Sequence, residues 1–210
     1  MSKEQADIEN HPAEPSTARI SFAKAFARNP NVIGAVSPSS RFLARQMIRA
    51  AGPIEGGVLE LGGGTGTLTR EILSSGVNPE RLDVVEFLPD FAEALRRRFR
   101  RVRVHQVDAS SVDRNLLGEP ASVVFSGLPL RAMPDAKVEK ILSAVINVAS
   151  ERARIVQFSY GLRCPVTTEI QASLSLMARR FCWVPLNIPP AFVWILQSVP
   201  ASKENRRAGR

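Results

Sequence analysis

The sequence predicts an α/β protein built on a doubly wound, mostly parallel sheet. Short apolar runs bounded by turn residues alternate with stretches of helical periodicity along most of the 210 residues. One run, Val58-Leu59-Glu60-Leu61, passes straight through Gly62-Gly63-Gly64-Thr65-Gly66 into a helical pattern at Leu68, Ile72 and Leu73. Three runs carry an acid at their carboxyl end, Glu60, Glu86 and Asp108, so the acids line one edge of the sheet.

Taken in order, residues 1–16 are polar and read as a disordered tail. Residues 17–28 read as a short helix with Ser16 or Thr17 as cap, ended by Asn29-Pro30-Asn31. Ser39 or Ser40 caps a second helix through Ala51, whose apolar stripe is Phe42, Leu43, Met47 and Ile48. After the glycine-rich run come strands at 81–87 and 102–107, separated by helical sequence. Residues 122–126 give a fourth strand, 135–150 an amphipathic helix and 154–159 a fifth strand. A helix at 168–177 then leads to two closing strands at 181–185 and 192–197, which makes seven strands in all. The chain divides into a tail at 1–16, N-terminal helices at 17–51, a core domain at 52–199 and a basic tail at 200–210.

Composition narrows the function classes. With 44% hydrophobic residues, the chain can bury one sizeable core. No apolar run approaches the ~18 residues of a membrane span, and the polar N-terminus lacks the apolar core of an export signal. A cytoplasmic location is expected, with Cys164 and Cys182 as reduced thiols. Neither these cysteines nor His11 and His105 have metal-ligand spacing, so no metal is expected. The net charge of +8 calls for a polyanionic partner, either nucleic acid or an anionic membrane surface. Basic residues cluster at 96–101, at Arg179-Arg180 and in the C-terminal tail; the first cluster is equally readable as a solvated helix face.

The glycine spacing selects the ligand. A dinucleotide fingerprint, Gly-x-Gly-x-x-Gly, would put its last glycine at position 67, which is Thr67. Here Gly62, Gly64 and Gly66 alternate behind Glu60, and a carboxylate there suits a cationic, amine-bearing ligand better than a pyrophosphate. The pattern resembles motif I of class I S-adenosylmethionine-dependent methyltransferases. That resemblance implies a Rossmann-like class I methyltransferase fold with an antiparallel last strand, and S-adenosyl-L-methionine as cofactor. Glu86, about 20 residues past the turn, is placed to accept both ribose hydroxyls. The resemblance gives Asp108 the adenine amino group.

Two families share a preamble before motif I and a Leu-Pro after the fourth strand: the ribosomal RNA adenine dimethylases and the bacterial phospholipid N-methyltransferases. The RNA enzymes carry Asn-Leu-Pro-Tyr, in which Asn accepts from the target amine and Tyr stacks on the flipped base. Here the stretch is Ser126-Gly127-Leu128-Pro129-Leu130, which lacks both groups. The chain resembles the phospholipid family more closely, through residues 29–40 as its preamble, Val156-Gln157-Phe158-Ser159-Tyr160-Gly161 as its fifth strand and 187–194 as its closing hairpin. The implied activity is N-methylation of phosphatidylethanolamine towards phosphatidylcholine, at the inner membrane surface. Other aminolipids such as ornithine lipid, an RNA adenine substrate, and a non-enzymatic binding protein with a degenerate fold stand as alternatives; nucleic acid is the less expected partner.

Methyl transfer from a sulfonium needs a neutral amine held about 3 Å from the methyl carbon. Desolvation beside a cation lowers an amine's pKa and reduces the need for a dedicated base. Ser126, Pro129 and Tyr160, in the loops after strands four and five, are the expected neighbours of the transferred methyl. Tyr160, the only tyrosine, either faces a methylated ammonium, a cation–π contact of about 0.5–2 kcal/mol, or packs at its strand end. In the first helix Phe22 and Phe26 share one face, with Lys24 and Arg28 roughly opposite. A short basic amphipathic helix of this kind lies in a headgroup layer. Alternatively, the two phenylalanines cap the core over the cofactor.

Overall fold

A computed structural model of the chain describes residues 38–199. The expected membrane helix, with Phe22, Lys24, Phe26 and Arg28, lies outside the described residues, as do both tails.

Strands β1 (Gly57–Leu61), β2 (Leu82–Val85), β3 (Arg103–His105), β4 (Ala121–Ser126), β5 (Ala149–Tyr160), β6 (Leu176–Val184) and β7 (Ala191–Ser198) form one seven-stranded sheet in the order β3-β2-β1-β4-β5-β7-β6. Pairing is parallel from β3 through to β5, and β7 runs antiparallel to both its neighbours, β5 and β6. The expected fold class is therefore the observed one, with the last strand in sequence the reversed one. Strand order changes direction between β1 and β4, and the carboxyl ends flanking that point form the crevice where open α/β sheets bind ligands.

Helices cover both faces. α1 (Pro38–Ala51), α2 (Thr67–Ser74) and α3 (Pro89–Arg98) bury Leu43, Met47, Ile72 and Leu95 against Val58, Val84, Val123 and Phe125. α4 (Asp135–Val148) and α5 (Thr168–Ser173) bury Val138, Ile141, Leu142 and Ile170 against Leu59, Leu61, Val124 and Ile155. Every residue of β1 is buried, which is why its sequence reads as a continuous run rather than an alternation. α1 is joined to α2 through the buried carboxylate of Glu71, which accepts from Arg45 Nε at 3.0 Å and Arg41 Nε at 3.3 Å. Burial alone would raise that carboxyl, but the two guanidiniums outweigh it and hold it below the usual range.

Several boundaries differ from expectation. α1 starts at Pro38, the residue type suited to a first helical turn, so Ser39 and Ser40 lie inside the helix instead of capping it. The strand expected at 102–107 pairs only over Arg103–His105, because Asp108 caps a following 3₁₀ turn and draws the chain out of the sheet. β5 begins at Ala149, where a register shift against β4 accommodates the exposed Glu151 and Arg152. The helix expected at 168–177 stops at Ser173; Ser175 turns at φ 50°, and Leu176 opens β6.

Candidate active site

The loop after β1 is held by backbone geometry. Gly62 N–H donates to Val85 O at 2.8 Å, extending the ladder to β2, and Gly66 N–H donates to Gly63 O at 2.9 Å, closing a tight turn. The glycines have different jobs. A Cβ on Gly63 would lie 2.6 Å from Val84 Cγ1, and one on Gly66 2.6 Å from the Phe99 ring, so these two let the loop pack on β2 and the α3 segment. Gly64, at φ 50°, would point its Cβ into space with no atom within 4 Å. Within the loop it is the position where a ligand can approach the backbone.

The three expected acids converge on this edge with distinct surroundings. Glu86, nearly buried, accepts the Gly64 N–H through Oε2 and the Leu88 N–H through Oε1, both at 2.8 Å. It therefore shapes the loop directly, and each oxygen keeps a further lone pair for a ligand hydroxyl. Asp108 Oδ1 accepts from Ser110 N–H at 2.8 Å, Ser110 Oγ–H at 2.7 Å and Lys137 Nζ at 2.5 Å. Partial burial works to raise this carboxyl, yet Lys137 and Ser110 hold it below the usual carboxylate range. These bonds all fall on Oδ1, which leaves Oδ2 for a ligand.

Glu60 is fully buried, and among the described residues neither carboxyl oxygen has a hydrogen bond of good geometry, the Thr69 hydroxyl and N–H beside it making only a weak contact. Burial pushes its pKa up to about 8, with Thr69 offsetting part of the rise and the Glu86 charge adding to it. A buried acid without a partner at the base of a glycine loop is unusual, because buried polar groups are nearly always satisfied. The unsatisfied acid, the open approach at Gly64 and the acids at Glu86 and Asp108 fit a ligand that offers cationic and hydroxyl donors, as S-adenosylmethionine does.

The loop after β4 packs onto this site. Gly127 N–H donates to Leu61 O at 2.8 Å, and a Cβ on Gly127 would lie 2.9 Å from Gly62 O. Ser126 is buried, and its Oγ accepts weakly from Leu128 N–H at 3.4 Å. Pro129 leads into a 3₁₀ turn at Leu130–Ala132. Gln157, fully buried on β5, donates through Nε2 to Leu128 O at 2.9 Å and Phe158 O at 2.7 Å. Tyr160 lies three residues further along β5 than the Gln157 that pairs with Ser126. It packs edge-to-face with Phe158, centroids 5.4 Å apart, and burial raises its phenol while the Asn187 side chain partly offsets this. Ser126 and the Pro129 loop are thus brought against the glycine loop, and Tyr160 stands at the adjoining strand end. Gly63, Lys137 and Gln157 are site residues that local sequence did not mark, since their roles depend on partners more than 20 residues away. Among the described residues no group of three or more His, Cys, Asp or Glu is arranged to hold a metal ion.

Comparison with known proteins bears on the family and the fold. Residues 58–151 match the family described as a methyltransferase domain. The ornithine lipid N-methyltransferase of Singulisphaera acidiphila is 30% identical over 196 residues, spanning 86% of this chain and 96% of that protein. The ribosomal RNA small subunit methyltransferase A of Marinobacter nauticus is 28% identical over 179 residues, which cover 80% of this chain and 57% of that protein. Among solved structures, the 1,6-didemethyltoxoflavin-N1-methyltransferase of Burkholderia thailandensis, with bound S-adenosylhomocysteine, aligns with a TM-score of 0.65 at 15% identity, over 92% of this chain and 95% of that one. The chain belongs to the class I S-adenosylmethionine-dependent methyltransferases.

Proposed function

We propose that the protein methylates the primary amine of an aminolipid headgroup, phosphatidylethanolamine or ornithine lipid, as a peripheral enzyme at an anionic membrane surface. The observation that carries this reading is the contact between Gly127 and Gly62. Where the RNA enzymes place an asparagine, this chain has a glycine wedged against the cofactor loop, and any side chain there would meet the Gly62 carbonyl. Leu130, in the tyrosine position, is buried in the core and offers no ring to a flipped base. The relative whose length the chain matches almost fully carries a lipid methyltransferase name. Among the described residues no helix is long and apolar enough to cross a membrane.

When bound, S-adenosylmethionine supplies an electrophilic methyl on a sulfonium. The chain's own contribution is positional. Gly64 leaves the approach open, Glu86 fixes the loop, and Gln157 holds the Leu128 carbonyl so that the turn before Pro129 keeps one geometry. Tyr160 borders the amine's entry, and its ring favours a methylated ammonium over water. The amine arrives protonated and sheds its proton to solvent as it is desolvated at the carboxyl ends of β4 and β5, near Tyr160.

The test uses purified protein, methyl-labelled cofactor, and three acceptors: phosphatidylethanolamine vesicles, ornithine-lipid vesicles and ribosomal RNA. Label in either lipid and not in RNA is the expected result. Label in RNA alone would replace this reading with that of the Marinobacter relative.

A further inference from the structure

Among the described residues, the rim beside the site carries an exposed apolar surface flanked by arginines. The register pairs Tyr160 with Ala191 and Val184 with Ala191, so the end of β5, the β6–β7 turn and the 161–167 loop meet at the carboxyl edge of the parallel strands. This is the same edge as the glycine loop. Leu162 is 71% exposed, Trp183 59%, Leu186 67% and Ile188 81%, values that place four large apolar side chains in water at one corner. Trp183 stacks on Phe192 at 6.5 Å, the Arg180 guanidinium lies 5.6 Å from the same Phe192 ring, and with Leu162 they line a shallow depression of about 590 Å³. α5 covers this face of the sheet only further down, at Ile170 and Leu176.

The β6–β7 hairpin is basic: no Asp or Glu occurs from Ile170 to Lys203, and it carries Arg179 and Arg180, while the nearest acid in sequence is Glu169 in the first turn of α5. Arg163, exposed, adjoins Leu162, and Arg131 Nη1 donates to the Arg163 carbonyl at 3.2 Å, which holds the Arg131 guanidinium beside this loop. Exposed Trp, Leu and Ile flanked by arginines make an interfacial surface: the apolar tips enter the boundary between headgroups and acyl chains while the cations meet anionic phosphates.

We propose that this corner, Leu162, Trp183, Leu186 and Ile188 with Arg131, Arg163 and Arg180, docks on an anionic bilayer. The choice of a bilayer as occupant rests on the aminolipid reading above. Docking here sets the Tyr160 end of β5 against the membrane, so a headgroup amine reaches the site while its acyl chains stay in the bilayer.

The test is binding of the full-length chain to phosphatidylglycerol–phosphatidylcholine vesicles by co-sedimentation, for wild type, Leu186→Ser/Ile188→Ser and Trp183→Ser. These side chains are exposed, and S-adenosylhomocysteine affinity within twofold of wild type verifies that each variant is folded. The double variant should lose at least tenfold in vesicle affinity, and Trp183→Ser several-fold. It should lose methylation of vesicle lipid while keeping methylation of a short-chain, monomeric aminolipid. Vesicle affinity unchanged in both variants overturns the proposal, including the case where they differ from wild type only in self-association by sedimentation velocity. If wild type labels no aminolipid, the aminolipid reading fails separately, and the vesicle measurement still decides the docking surface.

Discussion

Glu86 holds the Gly64 amide: its Oε2 accepts that N–H at 2.8 Å, while Oε1 takes the Leu88 N–H at the same distance. The acid that closes β2 therefore sets the shape of the turn that closes β1. A substitution at Glu86 acts on the loop as well as on any ligand hydroxyl it receives.

Gly64→Ala and Glu86→Ala should each weaken S-adenosylhomocysteine binding at least tenfold. The first puts a methyl into the open approach, and at φ 50° it adds about 1 kcal/mol of backbone strain. The second frees two N–H groups and the loop they hold. Titration calorimetry showing both variants within twofold of wild type would remove this loop from the cofactor site.

Glu60 predicts the pH dependence of stability. Its folded carboxyl is raised by burial from 4.5 to about 8. A raised group contributes stability that is fully present below the unfolded pKa and is lost as pH rises through the folded one. The melting temperature of the ligand-free protein should therefore carry a component that falls between pH 4.5 and about 8. Glu60→Gln, which stays neutral, should flatten it. Parallel pH profiles for the two proteins would show that Glu60 is not a buried neutral acid. Cofactor binding that ionises Glu60 should also release a proton near neutral pH, seen as a buffer-dependent heat that the Gln variant lacks.

The parts of this molecule legible in sequence are those fixed by local pattern. The run Val58–Leu61 with its glycines marks β1 and its loop, and the acids Glu86 and Asp108 fall just beyond β2 and β3. In sequence, the alternation of Gly62, Gly64 and Gly66 reads as one device for ligand approach. In the fold only Gly64 of this loop faces open space, while Gly66 and Gly63 back onto Phe99 and Leu95. Those neighbours come from the α3 segment, roughly 30 residues on, where no local window reaches. The first half of β5 was hidden for another reason: Ser150, Glu151 and Arg152 are polar residues at an irregular pairing, which breaks the two-residue alternation.

Gly127→Asn tests the distinction from RNA enzymes. Its Cβ would lie 2.9 Å from Gly62 O and 3.3 Å from Leu61 O, and both contacts are backbone, which cannot swing away. Overpacking of this kind costs about 1–3 kcal/mol. The variant should unfold at lower denaturant, bind cofactor more weakly and gain no activity on ribosomal RNA. An Asn variant as stable as wild type that labels ribosomal RNA would revive the RNA reading.

The final prediction concerns stability away from the site. Asp83, 1% exposed on β2, accepts from Arg103 Nε and Nη2 at 2.7 Å each and lies 2.8 Å from His105 Nε2. Burial alone would raise this carboxyl, but the bidentate guanidinium and the histidine outweigh it and hold it below the usual carboxylate range. A lowered group contributes stability that is present above the unfolded pKa and lost as pH falls through the folded one, so this network weakens only in acid. Arg103→Leu strands the carboxylate. Breaking a fully buried pair costs about 3–5 kcal/mol, and with Arg103 35% exposed the loss should be smaller, roughly 2–3 kcal/mol. Asp83→Leu/Arg103→Leu should recover part of that loss, because no unpaired charge remains. Asp83 enters β2 at the end opposite the ligand edge, so cofactor affinity of the folded variants should stay within twofold of wild type. Urea unfolding at neutral pH measures the loss. An Arg103→Leu midpoint equal to that of wild type would mean that His105 and the Gly118 N–H suffice to hold the acid.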